Sequence, residues 1–245
     1  MTEKRAVWRR LASAVLDLVY PGCCHLCENP VPGGRALCEE CSNGIPSLRE
    51  PFCEMCGEEF DGAIDTTFSC SNCRGQKFSF EFARPGVPRS EGAMQLVRAL
   101  KYRRQLDVAV ELAGLAARAF QDQRLAPAVA QRWPLVPVPL HRSRWKWRQF
   151  NQAREIALPL GRELGLPVSE MLVRVRRTET QTRLSRNQRK KNLKGAFQPG
   201  RQITAAPGVI LVDDVFTTGS TVHECARVLR KAGVQKVIVV TAVRG

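Results

Sequence analysis

Eight of the ten cysteines in this 245-residue chain fall into four C-x-x-C pairs: Cys24 with Cys27, Cys38 with Cys41, Cys53 with Cys56, and Cys70 with Cys73. Two thiolates at that spacing on a tight turn face one tetrahedral metal ion, and two such knuckles complete a Zn(Cys)4 site. Four pairs make two structural Zn2+ sites. Consecutive pairing is the simplest arrangement, giving Cys24, Cys27, Cys38 and Cys41 to one ion and Cys53, Cys56, Cys70 and Cys73 to the other; interleaved pairing stays open. Cys23 is a spare beside Cys24. Pro21, Pro30, Pro32, Pro46 and Pro51 break any long helix here, and Gly57 and Gly75 follow knuckles. A loop-rich segment this small buries little core, so metal binding supplies its folding free energy. A disulfide framework would need an oxidising compartment. Residues 1–20 resemble a secretion signal only in part, since Asp17 interrupts the apolar run and no small-residue cleavage site follows. Val7, Leu11, Ala14, Val15 and Leu18 fall at helical spacing, which predicts an amphipathic helix docked on the protein. No apolar run reaches the roughly eighteen residues of a membrane span, so no transmembrane segment is expected and the cytoplasm is the expected location.

The second constraint lies near the other end, in VILVDDVFTTGST, from Val209 to Thr221. A continuous apolar run, Val209 to Val212, reads as a strand buried on both faces and ended by Asp213 and Asp214. Thr217, Thr218, Gly219, Ser220 and Thr221 form a hydroxyl- and glycine-bearing loop. A helix follows with Val222, Cys225, Ala226 and Leu229 on one face and Gly233 as its stop. This order suits a phosphorylated sugar: loop amides and the helix N-terminus hold a phosphate, and carboxylates accept hydrogen bonds from ribose hydroxyls. No Lys follows the glycine, which excludes a nucleoside-triphosphate P-loop.

Between these landmarks the pattern alternates strands and helices. Ala93, Leu96, Val97 and Leu100 make one helical stripe, and Leu106, Ala109, Val110, Ala113, Ala117 and Phe120 another, with Lys101 and Tyr102 at the junction, where a basic side chain either faces the active site or, the more ordinary case, is solvated. Strands are expected near Leu135, Val173, Ile210 and Val237, giving an open, mostly parallel α/β sheet with ligands at the C-terminal strand ends. Asn151 caps a helix with core positions Ala153, Ile156, Ala157, Leu160 and Leu164, Gly165 stops it, and Pro159 predicts a kink. The formal net charge is +15, which calls for an anionic partner such as nucleic acid, a phosphorylated metabolite or an acidic surface. Charge concentrates in two places. From Arg142 to Arg154 five basic residues meet no acid and interleave with Trp145, Trp147 and Phe150, a pattern that serves stacking with single-stranded nucleic acid or pyrophosphate binding. From Arg174 to Lys194 nine basic residues face Glu179 alone.

Three stretches together resemble the ComF family of competence proteins. VILVDDVFTTGST is similar to the PRPP-binding motif of type I phosphoribosyltransferases, and PLHRSRWKWRQFNQA to that family's pyrophosphate loop. Arg176, Thr178, Gln181, Leu184, Arg189, Asn192, Gly195, Ala196 and Phe197 follow the pattern of the lid region. One departure is Gln149, where the family usually has Gly; if that glycine takes a positive φ or approaches the ligand closely, a glutamine there moves the loop or narrows the site. The resemblance implies a double zinc ribbon over residues 21–80, after the helix at 1–20, and a type I phosphoribosyltransferase core over residues 81–245. It implies that Asp213 and Asp214 engage ribose as the catalytic carboxylates. Thr217 to Thr221 would cradle the 5'-phosphate, and Leu140, His141 and Arg142 would surround a pyrophosphate that binds with Mg2+. Arg176, Thr178, Gln181, Arg189 and Asn192 would belong to an anion-binding lid. The function implied is PRPP binding or transfer, tied to uptake of single-stranded DNA alongside a DNA-uptake helicase or inner-membrane machinery. The alternatives are a non-catalytic single-stranded DNA-binding protein on this fold and a salvage transferase acting on a nucleobase or amine. The ribbon is expected to form the hood over the site.

Overall fold

In this computed structural model the described residues are 22–31, 35–62, 68–178 and 192–245. The helix expected over residues 1–20 lies outside them, as do Gln181 and Arg189. The chain begins with an antiparallel pair, β1 (Gly22–Cys23) and β2 (Pro30–Val31), and a short helix, α1 (Glu39–Asn43). Then come β3 (Ala83–Val87), α2 (Glu91–Arg98), α3 (Val108–Ala117), α4 (Ala126–Ala130), β4 (Leu135–Pro137), α5 (Arg142–Arg148) and α6 (Gln152–Leu164). The last elements are β5 (Leu172–Arg174), β6 (Phe197–Pro199), β7 (Val209–Phe216), α7 (Ser220–Lys231) and β8 (Val237–Arg244).

Four strands form a parallel sheet in the order β3, β8, β7, β4. β7 and β8 are its centre because their valine- and isoleucine-rich runs have apolar side chains for both faces. Alternation does the sorting. Ile210 and Val212 of β7 and Ile238 and Val240 of β8 pack with α2, α3 and α6, while Val209, Leu211, Val237 and Val239 pack with α7. The two cysteine sets divide between the same two faces. Cys24 is buried with Leu37 and Ile45 on the α2 and α3 side, whereas Cys53, Cys56, Cys70 and Cys73 are buried on the α7 side.

Several elements depart from the sequence pattern, each for a physical reason. β3 carries Pro85 and Gly86, which read as a turn; the strand survives because it is an edge, where a missing donor costs no ladder bond on its outer side. Gly86 is required there, since a Cβ would sit 1.7 Å from the carbonyl oxygen of Leu115 in α3. The segment near Val173 does not join the parallel sheet but pairs antiparallel with β6. Arg174 interrupts its apolar run, and Leu172 is buried whereas Val173 is 42% exposed and Val175 also faces solvent, so one face of the pair is wet. The second helical stripe is also displaced. A π-turn over Ala99–Arg103 and a left-handed Arg104 reset the register, so Val108, Leu112, Leu115 and Ala116 are buried with Ala109 and Ala113, while Leu106 and Val110 face solvent.

The caps came out as the sequence indicates. Asn151 accepts a hydrogen bond from the Ala153 amide at 3.2 Å, and Gly165 takes a left-handed φ of 66° at the end of α6. α6 runs through Pro159 as one helix. Gln149 ends α5 with φ 72°, the conformation that a glycine adopts without strain, and its side chain donates to the Lys146 carbonyl at 2.9 Å. Gln149→Gly is therefore expected to stabilise the protein by about 1 kcal/mol, the left-handed strain less the glycine's added unfolded-state entropy. Urea unfolding reads this directly, and a destabilised variant would show that the Lys146 contact outweighs the strain.

Candidate functional site

The metal sites follow the consecutive pairing. The sulfur atoms of Cys24, Cys27, Cys38 and Cys41 lie within 4.8 Å of one another, and so do those of Cys53, Cys56, Cys70 and Cys73. Cys27 and Cys38 sulfurs are 3.7 Å apart and those of Cys56 and Cys70 3.6 Å. A tetrahedral ion with Zn–S bonds of about 2.3 Å places its sulfurs at about that separation. Backbone amides supply the surrounding hydrogen bonds, Cys41 to Cys38 Sγ at 3.4 Å and Cys70 to Cys53 Sγ at 3.3 Å. Cys23 is exposed and belongs to neither set.

The acid pair is carried by β7 itself. The ladder with β8 continues past Val212 to Phe216, pairing Asp213 with Thr241, so the carboxylates sit inside the strand rather than beyond its end. Asp214 is buried and accepts from the Val215 amide at 3.0 Å, and its own amide donates to Asp213 at 2.9 Å. The chain then turns through Thr217 and Thr218 to Gly219, whose φ of 73° opens α7 with no side-chain cap on its first amides. Thr218 and Ser220 hydroxyls bond each other at 2.9 Å.

Cations converge on these carboxylates. Lys101, from the π-turn after α2, forms an ion pair with Asp214. Arg148 is buried behind it and donates to Gln152 at 2.9 Å. Arg174 lies 5.2 Å over the Phe197 ring and donates to the Thr178 hydroxyl. Burial lowers the pKa of both arginines, that of Arg174 to about 10, which leaves Arg174 charged at neutral pH. Lys101, Arg144, Arg148, Arg174, both aspartates, Leu140, Thr217, Gly219, Ser220 and Thr221 line one cleft of about 480 Å3. A wider groove of about 800 Å3 adjoins it through Pro139, Leu140 and Arg174.

A family model described as "Double zinc ribbon domain" matches residues 15–74, and one described as "Phosphoribosyl transferase domain" matches residues 151–245. The chain is 33% identical to competence protein F of Haemophilus influenzae over 88% of its length and 93% of that protein's. The competence protein F family is the one to which this chain belongs. It is also 31% identical to DNA utilization protein YhgH of Escherichia coli over 88% of this chain and 94% of that one. With competence protein ComFC of Bacillus subtilis it shares 34% identity over 40% of this chain and 39% of the other. The fold is thus the type I phosphoribosyltransferase fold joined to a cysteine-rich ribbon.

Within this member of the competence protein F family, the structure gathers some expected residues and separates others. Asp213, Asp214, Thr217, Gly219, Ser220, Thr221 and Leu140 share the cleft. His141 and Arg142 line the wider groove instead. His141 caps α5, its Nδ1 accepting from the Ser143 amide at 3.2 Å, and burial together with the nearby guanidinium groups holds its pKa low. Arg176 is exposed and donates to the Asn192 carbonyl at 2.6 Å, and Thr178 is buried against Arg174. Among the described residues no part of the ribbon lines the cleft. Its hood wall is Met94, Val97, Arg98, Lys101 and Tyr102, and the first ribbon backs that wall from behind, with Gln95 donating to the His25 carbonyl at 2.7 Å. Lys101 was the residue hardest to place from sequence, because only the π-turn rotates it inward. Arg144 and Arg148 carried a readable signal, four apart on one face of a short basic helix.

Burial pushes Asp213 up to about 8, and the neighbouring Asp214 carboxylate adds to the rise. A carboxylate raised this way binds its proton more tightly folded than unfolded, so stability falls as pH climbs from near 4 to near 8. Asp213→Asn removes the penalty. It should raise the melting temperature at pH 8.5 by roughly 5 °C, equivalent to about 2 kcal/mol for a chain this long, with the gain shrinking toward pH 5. Calorimetry across that range would refute the account if the gain were independent of pH.

Proposed function

We propose that the cleft binds 5-phosphoribosyl 1-pyrophosphate together with Mg2+, and that the protein works on or beside single-stranded DNA during DNA uptake in the cytoplasm. The observation that carries the reading is the convergence of Asp213, Asp214 and the Thr217–Thr221 turn with Lys101, Arg148 and Arg174 in one cleft. The N-terminus of α7, which carries no side-chain cap, suits the 5'-phosphate. The aspartates suit the ribose hydroxyls, for which Lys101 must release Asp214. Arg144, Arg148 and Arg174 suit the pyrophosphate, whose charge grows as its bond to C1 breaks and an acceptor nucleophile forms the new bond. Mg2+ supplies further neutralisation of that leaving group. Positioning and fixed positive charge account for such a transfer without a dedicated general base.

One observation favours DNA as the larger partner. Trp145 and Trp147 are each 50% exposed on α5, and the Arg104 guanidinium lies 5.6 Å over the Trp147 ring. Large rings left in water among cations suit stacking with unpaired bases. The names of the relatives, competence protein and DNA utilization protein, agree with this. A salvage transferase would instead release pyrophosphate with a free nucleobase or amine.

Two variants separate the parts. Replacing Asp213 and Asp214 together by Ala should abolish PRPP binding by calorimetry while leaving salt-dependent binding of a fluorescent single-stranded oligonucleotide intact. Replacing Trp145 and Trp147 by Ala should do the reverse, weakening the oligonucleotide by about tenfold or more, as loss of base stacking requires. Wild-type protein that binds no PRPP with Mg2+ would end the proposal.

A further inference from the structure

Arg244, in the last strand, lies under the turn that follows the acid pair. Its Nη1 donates to the carbonyls of Phe216 at 2.8 Å and Thr217 at 3.2 Å, and its plane sits 5.4 Å from the Phe216 ring. Its Nη2 forms an ion pair with Glu58. Glu58 is part of a cysteine knuckle: the Cys53 amide donates to the Glu58 carbonyl at 2.7 Å, and the Gly57 amide to the Cys53 carbonyl at 2.8 Å. The position of that carboxylate is therefore set by the turn that also orients Cys53 and Cys56 toward a metal.

The same ribbon reaches the far end of the turn. Phe78 follows Cys73 in the chain, and a Cβ at Gly219 would lie 3.2 Å from its ring. The next amide, Ser79, donates to His223 Nδ1 at 3.0 Å, one turn into α7. The second ribbon thus holds the turn at Phe216 and Thr217 from one side and at Gly219 and His223 from the other. The first ribbon makes its contacts elsewhere: His25 bonds Asp107 at 2.6 Å and the Ile45 carbonyl accepts from Arg118 at 3.0 Å.

We infer that the second cysteine site positions the anion-binding turn, with Glu58 and Arg244 as the positioning residues that transmit its geometry. The inference rests on the reading of that turn as the phosphate site. The residues fit Zn2+, and the thiolate-bound ion would fix the knuckle from which Glu58 projects. Arg244 holds two carbonyls of the turn, and so fixes the backbone that leads into the start of α7. Without the Glu58 charge, the guanidinium keeps its donors but loses the carboxylate that fixes its plane. The turn then samples other conformations, and phosphate affinity falls without any change in a residue that touches the ligand.

Hydrogen exchange of the full chain, free of ligand, tests this apart from any binding reaction. Glu58→Gln should retain both metal ions by elemental analysis, yet speed exchange of the Thr217–Thr221 amides by about tenfold and weaken PRPP by a similar factor. Glu58→Asp should restore most of both. Asp107→Asn, which removes the carboxylate that His25 of the first ribbon bonds, should leave the turn unchanged. If Glu58→Gln loses metal, Arg244→Lys reads the same contact with the knuckle intact. Wild-type exchange in the turn of the Glu58→Gln protein, or equal loosening by Asp107→Asn, overturns the inference. Failure of wild-type protein to bind PRPP would count against the proposed function, and the exchange data would still decide this one.

Discussion

Two adjacent carboxylates inside the central strand repel each other, and much of this structure is arranged around that repulsion. Burying either without positive charge is costly, because a low-dielectric interior disfavours the ionised form. The chain answers from three separate elements: Lys101 on the π-turn after α2, Arg148 on α5, and Arg174 at the end of β5. No two are neighbours in sequence, so the site exists only once the sheet and both helical layers are assembled. The ion pair between Lys101 and Asp214 ties the π-turn after α2 to the central strand. In the proposed reading, a ribose that engages Asp214 displaces the lysine.

The ribbons follow from the same arrangement. A parallel sheet needs both faces covered, and here the first cysteine set is packed with the helices of one face and the second with α7 on the other. Among the described residues neither ribbon enters the cleft. Each supports it from behind, the first through α2, which carries part of the hood wall, and the second through Arg244 and Phe78 under the turn that follows the acid pair. A loop-rich segment stiffened by metal supplies rigidity that its small hydrophobic core cannot.

How much of this can be read from sequence depends on how local the cause is. The cysteine knuckles, the Asn151 cap, the Gly165 stop and the order of strand, turn and helix at Val209–Lys231 are set by residues within a few positions of each other. They emerge as the pattern indicates. β3 is hidden because Pro85 and Gly86 signal a turn, and only the close approach of α3 explains the glycine. The inward direction of Lys101 depends on one extra residue in a helical turn, which no periodicity displays. Chain order points to the ribbon as the hood, but among the described residues the ribbon lies behind the cleft and the wall is α2 with the π-turn after it. Gln149 is intermediate: its place in the sequence left a positive φ and a close approach to the ligand both open, and the backbone adopts the positive φ.

The most direct test of the account is a crystal structure with PRPP and Mg2+ bound. It predicts the 5'-phosphate on the amides of Gly219 to Thr221, the ribose hydroxyls on Asp213 and Asp214, and the Lys101 ammonium moved off Asp214 toward the pyrophosphate. A ligand seated only in the groove beside His141 and Arg142, with the pair between Lys101 and Asp214 undisturbed, would contradict it.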